Sequence, residues 1–439
     1  MSACNRTRLI WASFFIFMVM LCNVKAYSEV NGIGDKTLTL DECINIGLQT
    51  NPSAEISMQN LKVVEEKIGE AKGGYYPSLK LSSAYTYTTP LDNKLGASPD
   101  SYDTRFFVKQ ALYDAGATSN LVEGVRQSII AQEYDVKKTM LDIILNIKST
   151  FYEVVKRGAL LDVTKSSLNS AEKHHEQAKA LYSEGLSARF DMIKASVQVS
   201  NAQLDVIKAE NAVLLAKANL ATAMGLPVMI NFEVTTEGST VQTALLPTLS
   251  DAITHAHSGR PEIRGIRAKI DSAQINIKQA ESGLYPSLSL DASYGWQESS
   301  FFPNDNKWSA GLTVNLPVFE QLTTRSKINQ AAANRNGLKA TELQTLRNVE
   351  LDVQQAWLSL KEALERLGVT KKAIEQAEED MRVSEGRYKE GLGNILEVID
   401  AQTALTQAKT NSVVATYDIA NAIAKLDRAT GEGMREEGR

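Results

Sequence analysis

Two hydrophobic periods follow one another along this chain, and the succession occurs twice. Leu79, Leu81, Tyr85 and Tyr87 alternate with Ser78, Lys80, Ser82 and Thr86, which predicts a strand with one apolar and one polar face. Phe106, Val108 and Leu112 keep that period beyond Pro90 to Ser101, a stretch of Pro, Asn, Asp and Ser suited to an exposed hairpin connection. A second pair is predicted from Leu288, Leu290, Ala292, Tyr294 and Trp296, then Trp308, Ala310, Leu312, Val314, Leu316 and Val318, enclosing a polar loop from Glu298 to Lys307. After each pair the period lengthens. Leu121, Val125, Ile129, Val136, Met140, Ile144, Ile147, Phe151 and Val154 recur at three- and four-residue steps, predicting a helix from about Ala117 to Ser183. No proline falls between Pro99 and Pro227 or after Pro317. Gly185 breaks the long helix, a second from about Ala188 to Met224 runs back, and Lys327 to Arg387 with Asn394 to Thr430 repeats the design. A 65-residue helix spans on the order of 100 Å at 1.5 Å per residue, a length no compact domain needs.

The duplication is also literal. "YYPSLKLSSAY" at Tyr75 returns as "LYPSLSLDASY" at Leu284, about 209 residues on, and "YSEGL" at Tyr182 returns as "YKEGL" at Tyr388, about 206 residues on. Each half opens on a helix start, the capping box Thr39-Leu40-Asp41-Glu42 and its counterpart Thr248-Leu249-Ser250-Asp251. Asn51-Pro52 and Arg260-Pro261 then divide two short helices in register. The expected organisation is a signal peptide (1–26), a first repeat (27–225), a connector (226–247), a second repeat (248–431) and a tail (432–439). Within the repeats, strand pairs fall at about 75–114 and 284–319, and helical hairpins at about 117–224 and 327–430.

Composition narrows the setting. Arg6 and Arg8, the apolar run Ile10 to Met20 and Val24-Lys25-Ala26 read as a secretory signal cleaved before Tyr27. Met20-Leu21 lacks the small residue that a lipid-attachment site needs beside Cys22. Cleavage leaves Cys43 alone, so an internal disulfide is excluded and Cys43 is expected as a small core residue. The signal carries three basic and no acidic residues, so the net charge of −5 becomes about −8 in the mature chain, which argues against nucleic acid as a partner. After the signal no apolar run reaches about 18 residues, so any membrane crossing must use strands. Four strands cannot close a barrel, since the smallest membrane barrels need about eight. Two copies would fill their interior with side chains, whereas three leave a lumen. Tyr85, Tyr87, Tyr294, Trp296 and Trp308 fit interfacial aromatic girdles, and equally a soluble core.

"LTLDECINIGLQTNP", both "YPSL" strand entries, the duplicated strand-strand-long-helix order and both Gly-Leu helix turns resemble the TolC-like outer-membrane efflux protein family over nearly the whole mature chain. The resemblance implies a mixed, mainly α fold with β. Long α-helical coiled hairpins form a periplasmic barrel, and four strands per protomer join a trimeric 12-stranded outer-membrane β-barrel. It implies a homotrimer in the cell outer membrane, extending into the periplasm and contacting outer-membrane lipid. Such a trimer is the exit duct of a tripartite efflux or type I secretion system, with a periplasmic adaptor and a proton-driven or ATP-driven inner-membrane pump as partners.

The resemblance also assigns residues. "YSEGLSARFDMIKA" and "YKEGLGNILEVIDA" match the family's hairpin turns, so Gly185, Leu186 and Ser187 with Gly391, Leu392 and Gly393 are the expected adaptor-docking tips. Glycine after a helix is also its ordinary left-handed cap. Glu397 and Asp400, at i and i+3 on one helix face, match acidic positions that line the family's constriction and select cations. Glu397 equally completes an Asn394 cap. Asp191 and Tyr388 match a closed-state latch between neighbouring coils, and an exposed Tyr or Asp beside a turn fits them nearly as well. Some family members place an arginine just after the second turn, where this chain has Gly393.

His174-His175 and His255, His257 point apart on their helices and make no metal site. With no phosphate-binding loop, zinc motif or nucleophile signature, neither an enzyme nor a cofactor is expected. The competing class is a trimeric structural or adhesive outer-membrane coiled-coil protein. Its strands would come once, at the C-terminus. A periplasmic adaptor would carry one hairpin rather than two.

Overall fold

A computed structural model describes residues 37–88, 100–229, 232–235, 246–300, 305–319 and 321–432. The expected signal peptide, the centres of both hairpin loops, much of the connector and all of the tail except Glu432 lie outside the described residues. The chain divides into two compact units, and each draws on both repeats: 1–56, 139–260 and 349–439 in one, 57–138 and 261–348 in the other.

The first unit begins with a two-residue strand, β1 (Thr37–Leu38), which pairs in parallel with β4 (Glu233–Val234) from the connector. Helix α1 (Leu40–Thr50) starts at a closed capping box: Glu42 N donates to Thr39 Oγ1 at 3.3 Å, and Thr39 N donates to Glu42 Oε2 at 2.8 Å. In the second repeat α5 (Leu249–Gly259) starts on Thr248, whose Oγ1 accepts from Asp251 N at 3.2 Å. Pro52 and Pro261 hold Asn51 and Arg260 extended, which ends both helices. The side chains freed there clip the ends of the returning helices α4 (Arg189–Met224) and α8 (Ile395–Thr430). Asn51 Nδ2 donates to Ala223 O at 2.8 Å, and Arg260 Nη1 donates to Arg428 O at 3.1 Å. Gly225 and Gly431 close these ends at φ 78° and 85°.

Cys43 is fully buried, packed with Ile147, Phe151, Leu220, Met224 and Phe232. Burial pushes its thiol pKa up to about 12, so it behaves as a small core side chain. Burying Phe151 contributes about 3 kcal/mol. Arg260 and Arg428 are buried but answered, by Asp352 at 2.7 Å and Asp142 at 2.7 Å.

In the second unit the two predicted strand pairs join into one antiparallel sheet, β2 (Ser78–Tyr87), β3 (Asp100–Tyr113), β5 (Ser287–Glu298) and β6 (Lys307–Asn315), in the order β2-β3-β5-β6. The central pairing, β3 with β5, unites the repeats. Register places Leu79, Leu81, Tyr85, Phe106, Val108, Tyr294, Trp308, Leu312 and Val314 on one face, and these side chains are solvent-exposed in the single chain or half-buried. Three expected strand positions differ. Leu112 falls in a bulge between Ala111 and Tyr113, and β6 ends at Asn315, before Leu316 and Val318, because Pro317 cannot continue the ladder.

The long helices are α3 (Ala117–Ser183, 67 residues) and α7 (Gln321–Lys389, 69 residues). α3 begins at a turn where Asp114 accepts from Gly116 N at 3.0 Å and Thr118 N at 2.7 Å. α7 starts six residues before Lys327, since neither proline nor glycine interrupts the chain between Pro317 and Lys327. No described helix is long and apolar enough to cross a membrane.

Candidate functional site at the helix-hairpin tips

Both hairpins turn by the same backbone device. At the end of α3, Gly185 N donates to Tyr182 O at 3.0 Å and Leu186 N to Leu181 O at 2.9 Å. At the end of α7, Gly391 N donates to Tyr388 O at 3.1 Å and Leu392 N to Arg387 O at 2.8 Å. Gly185 and Gly391 take φ 75° and 72°, so the glycines at the expected tips do serve as left-handed caps. The residues after them project into solvent: Leu186 is 71% exposed and Leu392 74%. Ser187 and Gly393 follow, half-buried.

Behind the turns the two hairpins pack together. Ala178 from α3, Ala195 from α4, Met381 and Tyr388 from α7, and Ile395, Val398 and Ala401 from α8 form one buried cluster. The small residues let the helices approach closely, and Tyr388 fills the space between them. Its hydroxyl and Ser187 Oγ are both buried, and neither closes a hydrogen bond. Burial, and then the nearby Asp191 carboxylate, push the Tyr388 phenol pKa up, against a smaller lowering influence from Ser187. Asp191 and Tyr388 therefore come together, with no hydrogen bond joining them in the single chain.

Glu397 and Asp400 differ. Asn394 Oδ1 accepts from Glu397 N at 3.0 Å, which caps α8. The Glu397 carboxylate is held by Arg387, whose Nε donates to its Oε2 at 3.3 Å. Arg387 also donates from Nη2 to Leu392 O at 3.2 Å, so it braces the second turn. A Cβ at Gly393 would lie 3.2 Å from Arg387 Cβ and 3.1 Å from Glu397 Oε2, a crowded position that suits glycine. Asp400, one turn further, is exposed and pairs with none of the described residues.

Arg387 was not singled out by the sequence, although it stands beside Tyr388 and ten positions before Glu397. Only the folded turn brings it to that carboxylate. His174 is a second such residue. It is buried between α3 and α7, with Nε2 3.5 Å from Glu385 Oε1. Burial lowers its pKa, Glu385 opposes that shift and Lys173 adds to it.

Comparison with known proteins agrees with this architecture. Nodulation protein T of Rhizobium leguminosarum bv. trifolii is 22% identical over 403 residues, covering 90% of this chain and 85% of that protein. Outer membrane protein TolC of Escherichia coli K12 is 23% identical over 388 residues, covering 84% of this chain and 77% of TolC. The crystal structure of the outer membrane protein VceC from Vibrio cholerae superposes with a TM-score of 0.73 at 20% identity, over 89% of this chain and 96% of VceC. The family model described as outer membrane efflux protein matches residues 44–226 and 252–432, one match in each repeat. The chain belongs to this TolC-like family of outer-membrane efflux proteins.

Proposed function

We propose that three copies of this chain form the passive exit duct of a tripartite efflux or type I secretion system, docking a periplasmic adaptor at the hairpin tips and receiving cargo from an inner-membrane pump. The four-stranded sheet carries the reading. Its edge strands β2 and β6 have no further partner among the described residues, and one face is apolar while the other is polar. An open sheet of this kind leaves unpaired backbone groups that cannot stand in lipid, so it must close with other copies. Twelve strands would give a water-filled lumen. The adhesive alternative places its strands once and terminally, whereas these are internal and pair across the repeats.

In this reading Gly185, Leu186, Ser187, Gly391, Leu392 and Gly393 form the docking tips. The exposed leucines supply apolar anchors and the glycines set the turn. Asp400 contributes the ring of carboxylates that favours cations at the constriction. Glu397 adds less, because Arg387 balances its charge. Asp191 and Tyr388 form the latch, and the unpartnered Tyr388 and Ser187 hydroxyls are the groups that closure in the assembly would satisfy.

Crosslinking in native envelopes from a photoreactive side chain at Leu186 or Leu392 tests the reading. Capture of an adaptor supports it. A proton-driven pump in the same complex selects small-molecule or metal efflux, and an ATP-driven transporter selects polypeptide secretion. Recovery of this chain's own subunits alone, from a reactive probe, would overturn the docking assignment.

A further inference from the structure

The polar face of the sheet has a charge pattern that the apolar face makes interpretable. Register sets it in rows: Lys109 opposite Asp291, Lys80 opposite Phe107, Gly295 between Arg105 and Lys307, and Asp103 opposite Gln297. Among the described residues this face holds the cations Lys80, Arg105, Lys109 and Lys307 and the carboxylates Asp103 and Asp291. With the apolar face turned to lipid, these side chains line the lumen.

Both carboxylates are engaged. Arg105 Nε lies 2.8 Å from Asp103 Oδ1, and Arg105 Nη2 donates to Gln297 Oε1 at 2.6 Å. The guanidinium reaches Gln297 across Gly295, where a Cβ would lie 2.8 Å from Arg105 Cγ. Asp291 accepts from Ser289 Oγ at 2.8 Å and lies 4.0 Å from Lys109 Nζ. Lys80 and Lys307 have no such carboxylate among the described residues.

We propose that the strand lumen is an anion-attracting section of the duct, with Lys80 and Lys307 as its specificity-determining residues. The class it favours is solutes that present carboxylate or phosphate groups. The proposal rests on the trimeric channel reading. Threefold repetition turns each unbalanced lysine into a ring, and rings of cations enclosed by low-dielectric walls concentrate anions. The sign is opposite to that of Asp400.

Reversal potentials of the full-length trimer in planar bilayers under a potassium chloride gradient test it. Asp400→Asn removes the opposing carboxylates and serves as background. On that background the lumen is expected to prefer chloride, and adding Lys80→Gln with Lys307→Gln should lower the chloride-to-potassium permeability ratio at least threefold. Lys80→Arg with Lys307→Arg should restore it. An unchanged ratio in a conducting glutamine variant would overturn the proposal. If that variant does not assemble, Lys307→Gln alone, at the first residue of its strand, carries the same comparison. A wild-type chain that gives no conductance at all would instead overturn the channel reading, and this proposal with it.

Discussion

Tyr182 and Tyr388 hold the same place in the duplicated Tyr-x-Glu-Gly-Leu motif, yet Tyr182 is 42% exposed and Tyr388 only 5%. The surrounding residues explain the difference. Tyr388 finds Ser187 and Asp191 on the opposite hairpin, whereas the positions matching these in the second repeat are Gly393, with no hydroxyl, and Glu397, already held by Arg387. Duplication supplied two equivalent turns, and the substitutions between them made only one a candidate latch.

Tyr388→Phe separates a latch from a packing residue. Phenylalanine keeps the packed ring, and the hydroxyl has no partner within the single chain, so the protomer fold should be unchanged and the cost to the closed trimer limited to the bond that closure makes, about 1 kcal/mol. Resting conductance in a planar bilayer should rise, and Asp191→Ala should raise it similarly. Unchanged conductance in both variants would remove the latch assignment.

Arg387→Gln should uncover the Glu397 carboxylate and increase cation preference, while Asp400→Asn should decrease it. Reversal potentials of the two variants must therefore move in opposite directions from wild type. Movement in the same direction would show that Arg387 does not offset Glu397. Because Arg387 also braces Leu392 O, Arg387→Gln should in addition weaken adaptor capture at that tip.

The architecture was legible because its signals are periodic and repeated. Alternation marked all four strands, and the Asn51-Pro52 and Arg260-Pro261 breaks marked the short helices. The β3–β5 pairing was not, since sequence shows which strands form but not how the repeats join. At the tips, Gly185 and Gly391 were visible as helix stops. The Arg387–Glu397 pair and the orphan Tyr388 hydroxyl were invisible, because both depend on side chains meeting across turns and between hairpins. The sequence places His174 in mid-helix beside His175, and only the packing of α7 over it reveals its burial.

His174 should make the coils sensitive to acid. Its neighbours are Lys173 and His175 on α3, and Glu385, Arg382 and Lys389 on α7. Burial lowers its folded pKa, so between that value and the unfolded value of about 6.5 the unfolded chain binds more protons. Its contribution is full above about pH 6.5 and is lost as pH falls through the folded pKa. The melting temperature should fall between pH 7 and pH 5, and His174→Gln should make that fall shallower. Parallel curves for the two proteins would assign the acid sensitivity elsewhere.

Among the described residues, four glycines with positive φ close helices, and their surroundings differ in a way that separates scaffold from tip. An alanine at Gly225 would place its Cβ 2.6 Å from Thr50 O, and one at Gly431 would place it 2.7 Å from the carbonyl carbon of Gly259. At Gly185 and Gly391 nothing lies within 4 Å. Alanine at either tip therefore meets only the left-handed backbone penalty of about 1–2 kcal/mol, confined to an exposed turn. At Gly225 or Gly431 the same penalty adds to a backbone clash, for a total of roughly 3 kcal/mol or more. Gly225→Ala and Gly431→Ala should lower the melting temperature clearly, while Gly185→Ala and Gly391→Ala should barely move it. If the tip variants nonetheless lose adaptor crosslinking from Leu186 or Leu392, the turn conformation itself is what the adaptor reads. Retention of full crosslinking by both tip variants would leave the glycines a purely structural part in their helix ends.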